Sequence, residues 1–522
     1  MSAAAPPPVV ARPPVYPSHP HGPWPSTAPW GRYWPGAYRR LSVGGVLAIA
    51  GAAVVAAVSL PLDRAGIGWL VAAMAGVGAL ILARAMPAAV HPDAPEPLVV
   101  RPPTRPGPDR YAWTAATVAL IGVGTFRSAG WLFLLCLATA TLTGGLSLAG
   151  GRSLRSIAAG YTMPVVAAFR SLPWLTRTAA RVRKPVEAAA NVRVAATVAV
   201  SIMLLVVFGA LFASADAAFA GALEHLSPNV DVPTTIRWVF VFCVAALGLG
   251  GAAFLQAGPP DLAGLDATEG RKVSRLEWVV PLGLLVLLFA GFVGVQLAVL
   301  FGGNRHVLQT DGLTYAEYAR SGFWQLSFVT ALTLIVLAGA ARWAPRTEPA
   351  DRTLIRLVLG ALAALTLVIV GSALHRMNLY ADTYGLTRLR LLVACCEAWF
   401  GLVLLLVLLA GVRIRAPWLP RAAIAAGVLA LLGLAAANPD RVIADHNIRQ
   451  TRTVDLEYLS TLSPDAVPGL TGLDPGARAC VLDRMTLDLV LNPDDWRGWN
   501  LGREQARKVI AEHLSQPAIH CP

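Results

Sequence analysis

The sequence predicts an all-α fold: a polytopic bundle of about eleven transmembrane helices, with a small helical extracytoplasmic segment at its C-terminal end and a disordered Pro-rich tail at its N-terminal end. The first observation behind this prediction is composition. Of 522 residues, 56% are hydrophobic and 14% are charged, whereas about a quarter of a soluble globular protein is charged. The second is that apolar runs long enough to cross about 30 Å as a helix recur along the chain.

Changes in composition divide the chain into four segments. Residues 1–40 carry prolines at a density that excludes a helix or sheet interior, so we expect a disordered cytoplasmic tail. Residues 41–110 hold the first two spans and a Pro-rich linker, and residues 111–437 hold a bundle of about nine helices. Residues 438–522 form the extracytoplasmic helical segment. The first apolar run is of full spanning length, so we expect an uncleaved anchor.

The apolar runs place the individual spans. Their approximate positions are 42–60, 67–86, 111–126, 129–149, 194–214, 235–257, 278–301, 323–341, 353–374, 391–411 and 420–437. Small residues recur within them, as in LGLGGAA at residues 247–253. This pattern indicates close packing between helices rather than a phosphate-binding loop, since no strand precedes it.

The charge of the loops predicts the orientation of the bundle. The net charge is +13, and the segment between the fourth and fifth spans carries eight basic residues against Glu187 alone. Three other basic loops follow the sixth, eighth and tenth spans. With eleven spans these loops share one side with the basic end of the tail, so the positive-inside rule predicts a plasma-membrane protein with a cytoplasmic N-terminus and an extracytoplasmic C-terminus. The basic charge favours the lipid bilayer, and not nucleic acid, as a partner.

Polar and aromatic residues gather at the predicted outer ends of several helices. Thr314 and Glu317 have the spacing of a capping box, so a helix is expected to begin at Tyr315. A capped interfacial helix would explain this stretch without any ligand. The alternative is a shared ligand or partner site, whose candidate residues are Asp216, Tyr315, Glu317, Tyr318, Arg320, Arg376, Tyr380, Tyr384, Arg388 and Glu397.

Glu397 stands apart because it lies inside the tenth span. A carboxylate there is costly unless it is paired, protonated or in contact with water, so an intramembrane acid is a functional hypothesis by default. The structural alternative is a hydrogen bond to a neighbouring helix. We expect Arg376 and Arg388 to pair with Glu317 and Glu397.

Cys480 and Cys521 are the two cysteines outside the predicted spans. Both fall in the extracytoplasmic segment, where the compartment is oxidising, so the sequence predicts a disulfide between them. The bond would close a loop of about 40 residues and staple a small domain that has a limited core. The alternative is two unrelated thiols.

Four stretches together resemble a known family. They are LFASADAAFA, YAEYARSGFWQL, HRMNLYADTYGLTRLRLL, and NPDRVIADHNIRQ with the following VDLEYLSTLSPDAVPGL. They resemble bacterial membrane proteins of the domain-of-unknown-function 4153/4173 group, common in actinobacteria. The resemblance runs from about residue 110 to the end. It implies a polytopic inner-membrane protein and supplies no catalytic residues.

The sequence contains no motif of a soluble enzyme: no Walker A loop, H-E-x-x-H, G-x-S-x-G or C-x-x-C. His306 and His446 lack partners at metal-ligand spacing, so neither a metal nor a cofactor is expected. We favour a non-enzymatic envelope scaffold or sensor whose outer cluster binds a lipid headgroup, an envelope glycan or a membrane protein. One alternative is a multi-span polyprenyl-phosphate-dependent glycosyltransferase, with Asp63 as the carboxylate of a very short first loop. The other is a secondary transporter that uses Glu397.

The predicted orientation can be tested with reporter fusions. A reporter fused after Arg183 should be active in the cytoplasm, and one fused after Leu473 should be active on the exterior, because the basic loops fix opposite sides for these positions. If both fusions report the same side, the span count is wrong by one.

Overall fold

The all-α prediction is confirmed for the part of the chain that the structure describes. A computed structural model describes residues 34, 41–86, 107–179, 232–260, 262, 273–301, 323–345, 348–413, 416–450, 454–491 and 493–514, with isolated positions between 201 and 221. Among these residues, eight helices are long and apolar enough to cross a membrane. The chain therefore has the helices of a multi-pass membrane protein.

Eleven helices precede the C-terminal segment in the described ranges. They are α1 Val43–Ser59, α2 Ile67–Ala85, α3 Pro108–Phe126, α4 Gly130–Leu148, α5 Leu154–Ala179, α6 Val232–Ala257, α7 Arg275–Phe301, α8 Phe323–Trp343, α9 Pro349–Tyr384, α10 Arg388–Arg413 and α11 Leu419–Ala437. We call the described residues from 438 to 514 the C-terminal cap. It contains α12 Pro439–Gln450, α13 Leu456–Ser460, a 3₁₀ helix Pro464–Gly472, α14 Pro475–Leu491 and α15 Leu501–Leu514.

Ten of the predicted spans correspond to a helix, and the span predicted at 194–214 lies largely outside the described residues. The eight helices that meet the length and hydropathy requirement are α2, α4 and α6–α11. Helix α1 is apolar but has only 17 residues, and α3 is not among the eight. The count of eleven spans therefore stays a prediction.

The outer surface of the helices is apolar. On α7, Leu284, Leu287, Leu288 and Val295 are each more than 60% exposed. In α10 and α11, only 17% of the most apolar 18-residue window is buried. Such surfaces are unfavourable in water and favourable against lipid, so the exposed faces fit a bilayer environment.

Two regions differ from the sequence predictions. The basic segment after α4, predicted only as a cytoplasmic connection, begins with the 26-residue helix α5, whose buried Ile157, Met163 and Trp174 pack toward the other helices. In addition, Trp34 of the predicted disordered tail is fully buried, and its indole Nε1 donates to the carbonyl oxygen of Gly258 at 2.7 Å. Apolar packing therefore orders parts of both segments.

The small residues of α6 allow α5 to approach closely, as their pattern predicted. A Cβ added to Gly251 would lie 2.5 Å from the backbone nitrogen of Ala168 on α5. A Cβ added to Gly248, one turn away on the same helix, would meet nothing within 4 Å. The two backbones are thus in contact at Gly251 but not at Gly248.

This difference yields a matched pair of variants. Gly251→Ala should destabilise the bundle by about 1–3 kcal/mol, because the added methyl group forces two backbones apart. Gly248→Ala gains the same helix propensity of about 1 kcal/mol without the clash, so it should be neutral or stabilising. Thermal unfolding in detergent measures both. Equal midpoints for the two variants would contradict the close α5–α6 contact.

Candidate functional site

The predicted site residues fall into three groups. Tyr315, Glu317, Tyr318 and Arg320 lie outside the described residues. Asp216 is exposed at an isolated described position, where its carboxylate accepts from the backbone N–H of Phe219 at 3.2 Å. The remaining five lie on two consecutive helices, with Arg376, Tyr380 and Tyr384 on α9 and Arg388 and Glu397 on α10. The shared cluster therefore stays a prediction.

The turn between α9 and α10 is held by the cap. Helix α9 ends at Gly385, whose φ of +78° suits glycine. The side chain of Asn447 on α12 then binds Leu386 twice: its Oδ1 accepts from the Leu386 N–H at 2.6 Å, and its Nδ2 donates to the Leu386 carbonyl at 3.0 Å. The paired contact fixes the position of this turn against α12.

Tyr380 and Tyr384 share a face of α9, as their spacing predicts. Their ring centroids are 5.0 Å apart, and the Arg390 guanidinium lies 4.3 Å from the Tyr380 centroid. Arg390 also donates to the carbonyl oxygens of Tyr384 and Gly385. The cation–π contact and the two hydrogen bonds place a positive charge at the C-terminal end of α9, where the helix dipole favours it.

Arg388, at the start of α10, forms the central ion pair of the junction. Its Nε and Nη2 donate to the two carboxylate oxygens of Asp440 on α12 at 3.1 and 2.6 Å. Asp440 is completely buried and also accepts from the Trp131 indole at 3.2 Å and from the Ser463 N–H at 2.8 Å. Burial alone would raise the pKa of Asp440, but the hydrogen bonds and charge of Arg388 outweigh it and hold that pKa below its usual value.

This geometry corrects one prediction. Arg388 binds Asp440 and not Glu397, because the cap brings a buried carboxylate to the start of α10. Arg376 is half-buried on α9 and is not hydrogen-bonded to Glu397 either. The expected pairing of Glu317 lies outside the described residues.

A second buried aspartate caps the start of α4. Asp465 Oδ2 accepts from the backbone N–H groups of Ser128 and Ala129 at 2.7 and 3.0 Å. These N–H groups belong to the two residues that lead into α4, and the dipole of that helix favours negative charge at this end. Nearby, Arg127 donates to the carbonyls of Ala435 and Ala436 at the end of α11. Burial nevertheless raises the pKa of Asp465.

A third aspartate joins the cap to α1 and α2. The Asp494 side chain is only 3% exposed, and its carboxylate accepts from Arg64, Arg503 and Arg507 at 3.2, 2.8 and 2.7 Å. In the same region the first N–H groups of α2, at Ile67 and Gly68, donate to cap carbonyls at 2.9 and 3.0 Å. The cap thus completes the hydrogen bonding of a helix that is more than 400 residues away in sequence.

Sequence reasoning missed Asp440, Asp465 and Asp494. A local signal for them exists, since each directly follows a proline, in Asn-Pro-Asp or Ser-Pro-Asp. For Asp440 and Asp465 the proline begins a helix, which places the carboxylate in the first turn. The identity of their partners depends on contacts between distant parts of the chain.

The metal and disulfide predictions both stay predictions. Among the described residues, no group of three or more His, Cys, Asp or Glu side chains could hold a metal ion. His446 lies against the Ala381 carbonyl at 3.3 Å, and His306 lies outside the described residues. Cys480, on α14, is disulfide-bonded, while Cys521 lies outside the described residues, so their pairing stays a prediction.

A comparison with known protein families finds a match. The family described as Domain of unknown function (DUF4153) matches residues 115–473, more than two thirds of the chain. This confirms the family resemblance for 4153, while the bacterial origin stays a prediction. No curated protein and no solved structure matches the chain. The matched segment includes Asp440 and Asp465, whereas α1, α2 and Asp494 lie outside it.

The buried ion pair gives a testable prediction. Arg388→Ala leaves Asp440 buried without its cation and should destabilise docking of the cap by about 3 kcal/mol. This is the lower end of the usual range, because two other donors to Asp440 remain and Arg388 is 32% exposed. Limited proteolysis of the cap, together with thermal unfolding in detergent, measures the loss.

Arg441→Ala is the matched control. Arg441 also lies on α12, but it is 52% exposed and 3.8 Å from a half-buried Asp445, so its removal should cost no more than about 0.5 kcal/mol. Equal protease resistance of the two variants would show that the Arg388–Asp440 pair does not hold the cap.

Proposed function

The chain belongs to the family described as Domain of unknown function (DUF4153), and from that premise we propose that it is a non-enzymatic scaffold or sensor of the cell envelope. The observation that carries this proposal is that the buried charged groups at the cap form structural contacts. Asp440, Asp465 and Asp494 are each engaged with arginines or with helix N–H groups. Their contacts position the cap and require no chemistry.

The sensitivity of such contacts to geometry supports a scaffold function. Buried ion pairs contribute little net stability but are sensitive to geometry, because a displaced partner leaves a buried charge uncompensated. The cap is fixed by the Arg388–Asp440 ion pair to the start of α10, and by hydrogen bonds to backbone N–H groups at the starts of α2 and α4. A cap held at three points moves with those helices, as a platform or a signal-transmitting element requires.

We place the protein in the plasma membrane with a cytoplasmic N-terminus and an extracytoplasmic cap, on the charge of the loops. Its partners in this proposal are the bilayer and, at the outer face, a lipid headgroup, an envelope glycan or a membrane protein. The candidate contact residues include Asp216, Tyr315, Glu317, Tyr318, Arg320 and Arg376.

The glycosyltransferase alternative gains no support from the first loop. Asp63 is 60% exposed and ion-paired with Arg64 at 2.7 Å, and Arg64 also binds Asp494. This loop therefore serves to hold the cap. A secondary transporter remains the second candidate function, and the observation that favours it is the buried carboxyl of Glu397 on a spanning helix.

Purified protein in lipid nanodiscs tests the proposal against both alternatives. A scaffold should neither transfer sugar from a polyprenyl-phosphate sugar donor nor, in vesicles, accumulate substrate. Either activity above that of empty membranes would overturn it.

Photo-crosslinking in cells gives the positive arm of this test. A photoreactive residue at Trp496, which is 58% exposed on the cap, should capture an envelope component. The crosslink should be lost when Arg388→Ala releases the cap and retained with Arg441→Ala. Crosslinking that is the same in both variants, or absent in both, would contradict a function that depends on the docked cap.

A further inference from the structure

We propose that Glu397 is a proton-binding site inside the membrane-spanning bundle, with the neutral acid as its resting form and the carboxylate formed only when water enters between α8 and α10. This inference is independent of the scaffold proposal. It rests on the burial of Glu397, on its missing partners and on its depth.

Glu397 is 1% exposed, and within the described part of the chain neither carboxyl oxygen has a hydrogen-bond partner. The polar side chain that faces it is Ser327 on α8, although no hydrogen bond of normal geometry joins the two. Asp440, by contrast, is equally buried but accepts four hydrogen bonds. Apart from the nearby Ser327 hydroxyl, the described residues therefore give Glu397 none of the contacts that keep a buried carboxylate charged.

The depth of Glu397 makes the charged form costly. It lies nine residues after the start of α10 at Arg388, which is about 14 Å along a helix axis and close to the middle of a 30 Å hydrocarbon core. A buried charge without a partner is avoided by neutralisation. Addition of a proton to one oxygen achieves this within the existing packing.

The surroundings favour a proton over a metal cation. On α8, Ser327 and Thr330 are uncharged, and the Thr330 hydroxyl donates to the carbonyl of Leu326 in its own helix. Metal cations need several oxygen ligands, and the described residues hold no cluster that could bind one. Besides Glu397, three helices carry the following titratable and charged groups: Arg342 at the far end of α8; Asp351, Arg352, Arg356, His375, Arg376, Tyr380, Asp382 and Tyr384 on α9; and Arg388, Arg390, Cys395, Cys396 and Arg413 on α10.

Release of the proton requires a movement of helices. Buried side chains of α7, α8, α9 and α10 form one apolar core, with Leu326 on α8 and Leu404 on α10 among its members. Water reaches Glu397 only if α8 separates locally from α10. The O–H bond then breaks, the proton passes to the entering water, and the carboxylate is hydrated in the opened space.

Carbodiimide labelling of the full chain in nanodiscs tests this site. An apolar carbodiimide reacts with a protonated carboxyl in an apolar environment, so dicyclohexylcarbodiimide should modify Glu397, as read by mass spectrometry of the peptide. Glu397→Gln should lose that adduct completely, and Glu457→Gln, which changes an exposed acid of the cap, should keep it. A folded wild type without the adduct would overturn the proposal.

Two further measurements distinguish a bound proton from a bound metal cation at Glu397. Infrared spectra should show a carbonyl stretch of a protonated carboxyl that is absent from Glu397→Gln, and a spectrum unchanged by the substitution would refute the neutral acid. Sodium or potassium added at constant pH should leave the labelling unchanged. Protection by either ion would identify a cation site instead.

Discussion

The ion pair between Arg388 and the fully buried Asp440 is the contact on which the junction between bundle and cap depends. Removing a charge from water is expensive, and the cost is recovered only if every oxygen of the carboxylate finds a donor. Asp440 finds donors on three separate elements: α10, the turn before the 3₁₀ helix, and the indole of Trp131 on α4. One side chain thereby fixes the relative positions of elements that are far apart in sequence.

Hydrogen bonding to helix ends explains much of the rest of this surface. Neighbouring helices of the bundle run in opposite directions, so the surface under the cap contains both helix starts, with unsatisfied N–H groups, and helix ends, with unsatisfied carbonyls. The cap offers acceptors to the starts and donors to the ends, and Arg127 adds a donor from the bundle itself. The acceptors are Asp465 at the start of α4 and the carbonyls of Arg497 and Trp499 at the start of α2. At the helix ends, Asn500 donates to the carbonyl of Gly124 on α3, and Arg127 donates to the carbonyls of Ala435 and Ala436 on α11.

The sequence was sufficient to predict the helices but not their connections. Apolar runs of spanning length mark helices locally, and LGLGGAA correctly indicated the close approach at Gly251. The prediction misses helix α5 because its arginines resemble a loop signal, although Met163 and Trp174 recur on one helical face. The partner of Arg388 could not be predicted, since Glu397 is nearer in sequence and only the folded cap brings Asp440 closer. Pairing across such distances is a property of the tertiary structure.

Buried carboxyl groups that are paired with arginine respond to pH differently from a buried carboxyl group without such a partner. Burial alone would raise the pKa of Asp440 and of Asp494, but their arginines lower it, so cap docking gains stability above the unfolded-state pKa of about 3.9 and loses it as the pH falls through the folded-state values. Acid thus weakens the cap. Glu397 has no such arginine, so its carboxylate would have to be stabilised by water that enters the bundle. The paired Asp440 and Asp494 maintain the architecture, whereas Glu397, as we propose, changes its protonation state when the helices move.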